Sequence, residues 1–231
     1  MTSKKYAEKA KLVNKTKKYS IEEGLKLLKE VAWAGFVESV DLSIKLNLPT
    51  SKKVESIRGL VVLPHGTGKK LKVAVVAKGS KLKEAEDAGA HVFGAEDLIE
   101  KMSKGFFDFD ILLATPDMMG AIGKLGKLLG TKGLMPNPKS GTVTNDISTS
   151  VKEFAAGKVE YRMEKGGVIH VLLGKINFDI EKLKDNLLVA VEAIKKSKPS
   201  AVKGDFFKTV TISSTMGPGI KLDIRSAEEI D

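Results

Sequence analysis

Leu63-Pro64-His65-Gly66-Thr67-Gly68-Lys69 is the stretch on which the fold turns, because the strands on its two sides are written in different styles. Before it, Val40, Leu42, Ile44, Leu46 and Leu48 alternate with Asp41, Ser43, Lys45 and Asn47. That is the period-2 pattern of a strand with one face in a core and one in water. Pro49 ends the run, Ser51-Lys52-Lys53 reads as a basic loop, and residues 58–63 predict a second, more fully buried strand. After the Gly/Pro cluster, residues 72–77 (KVAVVA), 91–93 and 111–114 are short, continuous apolar runs separated by helical segments at 81–88 and 95–104. Such alternation predicts a parallel sheet covered on both faces, and the cluster itself reads as a domain boundary.

Further on, the spacing predicts a helix over 116–129, a loop rich in Gly, Pro and Asn over 130–143, and a helix over 147–156 closed by Gly157. The chain then returns to its first style. Residues 158–163 and 168–173 predict a hairpin around Glu164-Lys165-Gly166-Gly167. Asp179 can cap a helix running to about Lys196, with Ile180, Leu183, Leu187, Val191 and Ile194 on its apolar stripe, and Pro199 stops it. Phe206, Lys208, Val210 and Ile212 then alternate with Phe207, Thr209, Thr211 and Ser213, and residues 221–224 alternate again. The tip between these runs, Ser213-Ser214-Thr215-Met216-Gly217-Pro218-Gly219, is longer than a hairpin requires and displays hydroxyls and a Met that no turn needs. Near the N-terminus, Ser20 and Glu23 form a capping box ahead of Ile21, Leu25, Leu28 and Ala32, which share one helical face.

With 231 residues and 42% hydrophobic side chains, the chain can bury a core in one large or two small domains. It has no Cys, so thiolate metal sites and disulfides are excluded and a reducing compartment fits. No signal peptide is visible and no run approaches the length of a membrane span, which predicts a soluble, cytoplasmic protein without a membrane partner. The net charge is +10, and it is unevenly placed. Residues 1–66 carry 13 basic against seven acidic side chains, whereas 67–157 and 158–231 each carry 13 against 11. Residues 4–18 alone hold seven Lys and one Glu, a basic helix or arm suited to phosphate contact or to a solvated extension. A basic excess of this kind favours polyanions, nucleic acid foremost.

Enzyme chemistries fail on spacing. Every Gly-Lys pair lacks the upstream Gly or the following Ser/Thr of a phosphate loop, and the turn after 72–77 lacks a dinucleotide fingerprint. His65, His91 and His170 are isolated, so no zinc site or other cofactor is expected, and no nucleophile elbow is present. Thr115-Pro116-Asp117-Met118-Met119-Gly120 reads as a helix start with packing methionines. RNA binding draws more support. Phe36 can stack on a base; Ser39, Ser213, Ser214 and Thr215 offer hydroxyls; Arg162, Lys165, His170 and Lys175 add donors. An enzyme acting on a phosphorylated substrate and a general polyanion binder stand as competing classes.

Six motifs in order sharpen this reading. They are Leu63-Pro64-His65-Gly66-Thr67-Gly68-Lys69; Ala77-Lys78-Gly79; Glu84-Ala85; Ala114-Thr115-Pro116-Asp117-Met118-Met119-Gly120; Gly133-Leu134-Met135-Pro136-Asn137-Pro138-Lys139; and Thr215-Met216-Gly217-Pro218. Together they resemble the large-subunit ribosomal protein one family over nearly the whole chain. The resemblance implies an α/β fold in two domains. Residues 1–66 and 158–231 would form a discontinuous, split α/β RNA-binding domain. Residues 67–157 would form an inserted Rossmann-like, three-layer domain on hinges at Gly66, Gly68 and Gly157. It further implies a non-enzymatic monomer in the ribosome that grips large-subunit rRNA at the mobile stalk, aids release of exit-site tRNA and represses translation from its own operon mRNA leader. The RNA contacts it implies are Phe36, Glu38 and Ser39, the tip residues Ser213, Thr215, Met216 and Gly217, and Arg162, Lys165 and His170 from the hairpin region. Gly35 stands where the family often has Lys, and Val37 where a polar residue is usual, which removes one phosphate contact.

Overall fold

A computed structural model describes residues 4–48, 57–79, 81–164, 166–199, 202 and 204–224, with the Lys139 side chain left out. The loop read at Pro49 and Ser51-Lys52-Lys53, and Lys165, lie outside the described residues. Along the chain the elements are α1 (Lys4–Lys11), α2 (Ile21–Val31), β1 (Ser39–Leu46), β2 (Arg58–Val62), β3 (Val73–Val76), α3 (Lys81–Asp87), β4 (Val92–Gly94), α4 (Glu96–Ser103) and β5 (Ile111–Ala114). They continue with α5 (Met119–Gly123), α6 (Gly126–Thr131), α7 (Ile147–Ala156), β6 (Lys158–Arg162), β7 (Val168–Lys175), α8 (Ile180–Lys196), β8 (Phe207–Ser214) and β9 (Ile220–Leu222). The chain divides into two units, Met1–Gly68 with Val159–Asp231, and Lys69–Lys158.

The unit built from both chain ends carries a four-stranded antiparallel sheet in the order β7-β1-β8-β9. Alternation puts Val40, Leu42, Ile44 and Leu46 on one face, where they join Ile169, Val171, Leu173, Val210, Ile212, Ile220 and Leu222. α2 and α8 close over that face with Leu25, Leu28 and Val31 and with Leu183, Leu187, Ala190 and Ile194. Each fully buried aliphatic side chain here contributes about 1.5–3 kcal/mol. Ser20 caps α2 by accepting from Glu23 N at 3.3 Å, as the sequence predicts. Asp179 occupies the cap of α8 without a side-chain cap bond and pairs with Lys182 at 3.4 Å instead.

Several details depart from the sequence reading. The segments expected to pair as one hairpin belong to different sheets: β6 pairs with β2, and β7 with β1. Among the described residues they are joined by Gly167 N to Glu164 O and Glu164 N to Val168 O, both 2.9 Å, and by an isolated bridge of Met163 with Ile169. β6 has a tighter partner in β2, where a Cβ on Gly59 would lie 2.4 Å from the Tyr161 hydroxyl. β2 itself buries only Val61. Lys208 leaves the apolar face of β8 because the register shifts between Lys45, opposite Thr209, and Leu46, opposite Phe207. The basic stretch 4–18 is helical only over α1, which buries none of its residues.

The other unit has a parallel sheet in the order β4-β3-β5, with all of β3 buried. Leu98, Met102, Met118, Ile122 and Leu129 pack on one face, and Ala85, Ile147, Val151 and Phe154 on the other, giving three layers. The helix expected over 116–129 breaks into a 3₁₀ turn at Pro116–Met118, then α5 and α6, since Gly120, Gly123, Gly126 and Gly130 lower helical propensity along it. Gly157 ends α7 at φ 115°, in the left-handed region.

Candidate nucleic-acid interface

Antiparallel pairing places the start of β1 beside the end of β8: Val40 faces Ser214 and Asp41 faces Ser213. Two segments that are distant in sequence, 33–38 leading into β1 and 215–217 leaving β8, therefore meet at one end of the sheet. Ser39 and Thr215 stitch them together. Ser39 N donates to Thr215 Oγ1 at 2.9 Å, and Thr215 N donates to Ser39 O at 3.1 Å. The 215–217 turn is closed by Gly217 N donating to Ser214 O at 3.1 Å, and it leaves no room for a side chain at Gly217.

Glu38 is the centre of this junction. It is 1% exposed, and its Oε1 accepts from Trp33 N at 3.0 Å and Ala34 N at 2.8 Å, while Oε2 accepts from Met216 N at 3.0 Å. Burial by itself would raise its pKa. The Ser214 hydroxyl and the amides of Met216, Ala34 and Trp33 outweigh that and hold the carboxyl below its ordinary value. Ser214 Oγ is buried and short of strict hydrogen-bonding geometry, so the three amides are the firmer contacts. Glu38 is thus turned inward, where it holds two loops in register. The side chains it leaves outside are Phe36, 57% exposed, Val37, 52%, and Met216, 45%. Nothing lies near enough to Gly35 to meet a Cβ there.

From this end the outer face of the sheet runs through polar side chains. Lys175, opposite Ser39, donates from Nζ to Ser39 Oγ at 2.9 Å. His170 stands opposite Ser43, with Nδ1 2.9 Å from its hydroxyl. Between them lies Asp41, half-buried; burial raises its pKa, against the pull of His170 and Lys175. Asp41 is the residue of this face that alternation marked only as outward-facing. The turn at 164–167 lies at the other end of β1, since Val168 pairs with Lys45 and Lys45 Nζ reaches Gly166 O. Eight residues of strand separate the two ends, about 23 Å. Phe36, Ser39, Ser213, Thr215, Met216 and Gly217 are therefore brought together; His170 sits midway; Arg162, exposed beside the far turn, is not part of that group.

The family model of the Ribosomal protein L1p/L10e family matches residues 28–218. The chain belongs to that family. It is also 53% identical over 220 residues, 95% of each chain, to the large ribosomal subunit protein uL1 of Macrococcus caseolyticus (strain JCSC5402). Members of this family are structural and not enzymatic, and among the described residues no group of His, Cys, Asp or Glu could hold a metal ion. No helix of the described residues is long and apolar enough to cross a membrane.

Gly66 and Gly68 have positive φ, 63° and 71°, as does Gly157. Gly66 is tied down: Asn186, fully buried in α8, donates to Gly66 O at 3.0 Å and to Leu173 O at 2.7 Å, and accepts from His65 N at 3.1 Å. The apolar stripe gave no sign of this buried amide.

Proposed function

We propose that the chain is a cytoplasmic constituent of the large ribosomal subunit that binds large-subunit rRNA through its end-built unit. What supports this is one observation: Glu38 ties together the two loops that leave Phe36 and Met216 exposed at one end of the sheet, with Ser39, Thr215 and Lys175 in the same junction. An unpaired base can stack on Phe36 and slide against Met216, while Ser39, Ser213 and Thr215 face 2′-hydroxyls and phosphates. His170, on β7, extends the grip along the sheet, and the family resemblance adds Arg162 and Lys165. The family resemblance carries the proposal further: the grip sits at the mobile stalk, the Lys69–Lys158 unit swings about Gly66, Gly68 and Gly157 as exit-site tRNA leaves, and the same grip takes the leader of the protein's own mRNA.

The test is equilibrium binding of the full chain to a structured stalk-base rRNA fragment. Phe36→Ala and Met216→Ala remove exposed side chains without touching the Glu38 bonds. Each is expected to weaken binding about tenfold, the scale of one lost base stack. Unchanged affinity in both variants would remove this site from consideration. A reporter carrying the protein's own leader, repressed by the wild type and released by Phe36→Ala, checks the regulatory part.

A further inference from the structure

Of the concentrated N-terminal charge, Lys5 lies 5.6 Å from the Trp33 ring and Lys9 donates to Glu30 O, whereas Lys18 stands at a different place. At the opposite end of β8 a cleft of about 590 Å³ opens among five separated stretches of the same unit. Lys18 comes from the basic N-terminal stretch, Lys195 and Lys198 from the end of α8 and beyond, Lys208 from the register shift in β8, and Lys221 from the edge strand β9. Thr209 and Asn47 add neutral polar groups, and Asp205 and Asp223 are its acidic members. Five lysines against two aspartates leave an excess of three positive charges in one concavity. Lys198 is committed to Gly204 O at 2.8 Å. Lys18, Lys208 and Lys221 are exposed, and their ammonium groups make no bond to a protein acceptor among the described residues. The register shift is what turns Lys208 into this space; an unbroken alternation would have sent it to the core side.

Like charges gathered in a concave site raise the local potential and repel one another until an anion enters. The anion here is not a lone phosphate held by amides. The end of α8 brings Lys195 to the cleft, and because a helix C-terminus opposes anions the lysine side chains there supply the attraction. A flexible ammonium acts as a point charge on a phosphodiester without reading a base. We propose that this cleft is a second RNA-backbone site, sequence-indifferent, which holds phosphates of RNA lying beyond the Phe36–Met216 grip. It does not depend on that grip, which sits at the far end of the strand.

The experiment uses the full chain and a 12-mer of oligouridylate, an unpaired strand that the grip and the cleft can both contact, so the share of the cleft is read from the loss in the lysine variant. Affinity is measured over a series of salt concentrations. For the wild type with Lys18→Gln, Lys208→Gln and Lys221→Gln combined, the slope of log K against log salt should fall by about 2, since each phosphate contact to a single strand contributes about 0.7. All three side chains are exposed, so the fold should tolerate the change. Amide shifts on titration should concentrate at Lys18, Lys208, Thr209 and Lys221. Three outcomes would overturn the proposal: an unchanged slope in the triple variant; an equal fall when Lys124, Lys127 and Lys132 of the other unit are replaced instead; or preferential binding of a polyglutamate peptide, which would make the partner an acidic protein.

Discussion

The amide of Met216 donates to Glu38 Oε2 at 3.0 Å, across 178 positions of sequence. With Trp33 N and Ala34 N on the other oxygen, one buried carboxylate organises two loops that share no covalent neighbourhood. Glu38→Gln keeps the volume but sets an NH₂ group against at least one backbone donor. A buried donor left without an acceptor costs about 1–3 kcal/mol, so local stability should fall by roughly that amount. Hydrogen exchange at Trp33, Ala34 and Met216 should accelerate about tenfold or more while amides of α8 keep their protection. Equal protection of those three amides in wild type and variant would show that the carboxylate does not hold the loops.

The two acids at the start of β1, Glu38 in the junction and Asp41 on the outer face, predict opposite responses to pH. Glu38 has a folded-state pKa below its ordinary 4.5. Its stabilising part is complete above about pH 4.5 and is lost as pH falls through the depressed value. Asp41 has a folded-state pKa above its ordinary 3.8, chiefly through burial. Protonating it favours the folded state, a benefit present below pH 3.8 and lost as pH rises through the raised value. Asp41→Asn should therefore raise the thermal midpoint at pH 7 and have no such effect at pH 3.5. A lower midpoint at pH 7 would mean that His170 and Lys175 outweigh the burial.

Gly217 is required by contact, not by φ. A Cβ there would stand 2.4 Å from Ser214 Oγ but 3.6 Å from Ser214 Cβ. Gly217→Ala should thus open the 215–217 turn and cost about 1–3 kcal/mol, the usual range for overpacking. Ser214→Ala removes the obstructing oxygen, and that hydroxyl has no well-formed hydrogen bond to lose. The double variant should recover most of the loss, both in unfolding by urea and in rRNA affinity. Additive losses in the double-mutant cycle would place the clash elsewhere.

Much of this was legible from periodicity. The alternation of β1 and the continuous runs of β3 and β5 distinguish the half-open antiparallel sheet from the covered parallel one. The site residues could be named, but not their roles. Glu38 reads in sequence as one more polar residue beside Phe36; its inward turn depends on Met216, which only strand pairing brings near. The same limit misplaced β6. Its composition suits a hairpin with β7, but the gap at Gly59 that receives Tyr161 lies a hundred residues earlier. Asn186 is likewise hidden, since a polar residue on an apolar stripe looks like an interruption until its partners, Gly66 and Leu173, are in place.

Those same bonds predict what happens when the Lys69–Lys158 segment is removed. Met163 N donates to Ile57 O at 2.8 Å, so the end of β6 meets the start of β2, and the chain leaves and re-enters the unit on the same side. Asn186 fixes the departing turn through His65 and Gly66 to α8, inside the same core. A chain joining residues 1–68 to 159–231 through a short glycine linker keeps that apolar cluster and every bond of the Glu38 junction. It should unfold in one cooperative transition and bind the rRNA fragment within about threefold of the full chain, because the contacts proposed for RNA all lie within it. Adding Asn186→Ala to this shortened chain should cost about 2–3 kcal/mol, as three hydrogen bonds at a buried site are lost at once. A shortened chain that stays unfolded would show that the segment completes the core. Binding of the rRNA fragment by residues 69–158 alone would move the interface to the parallel-sheet unit.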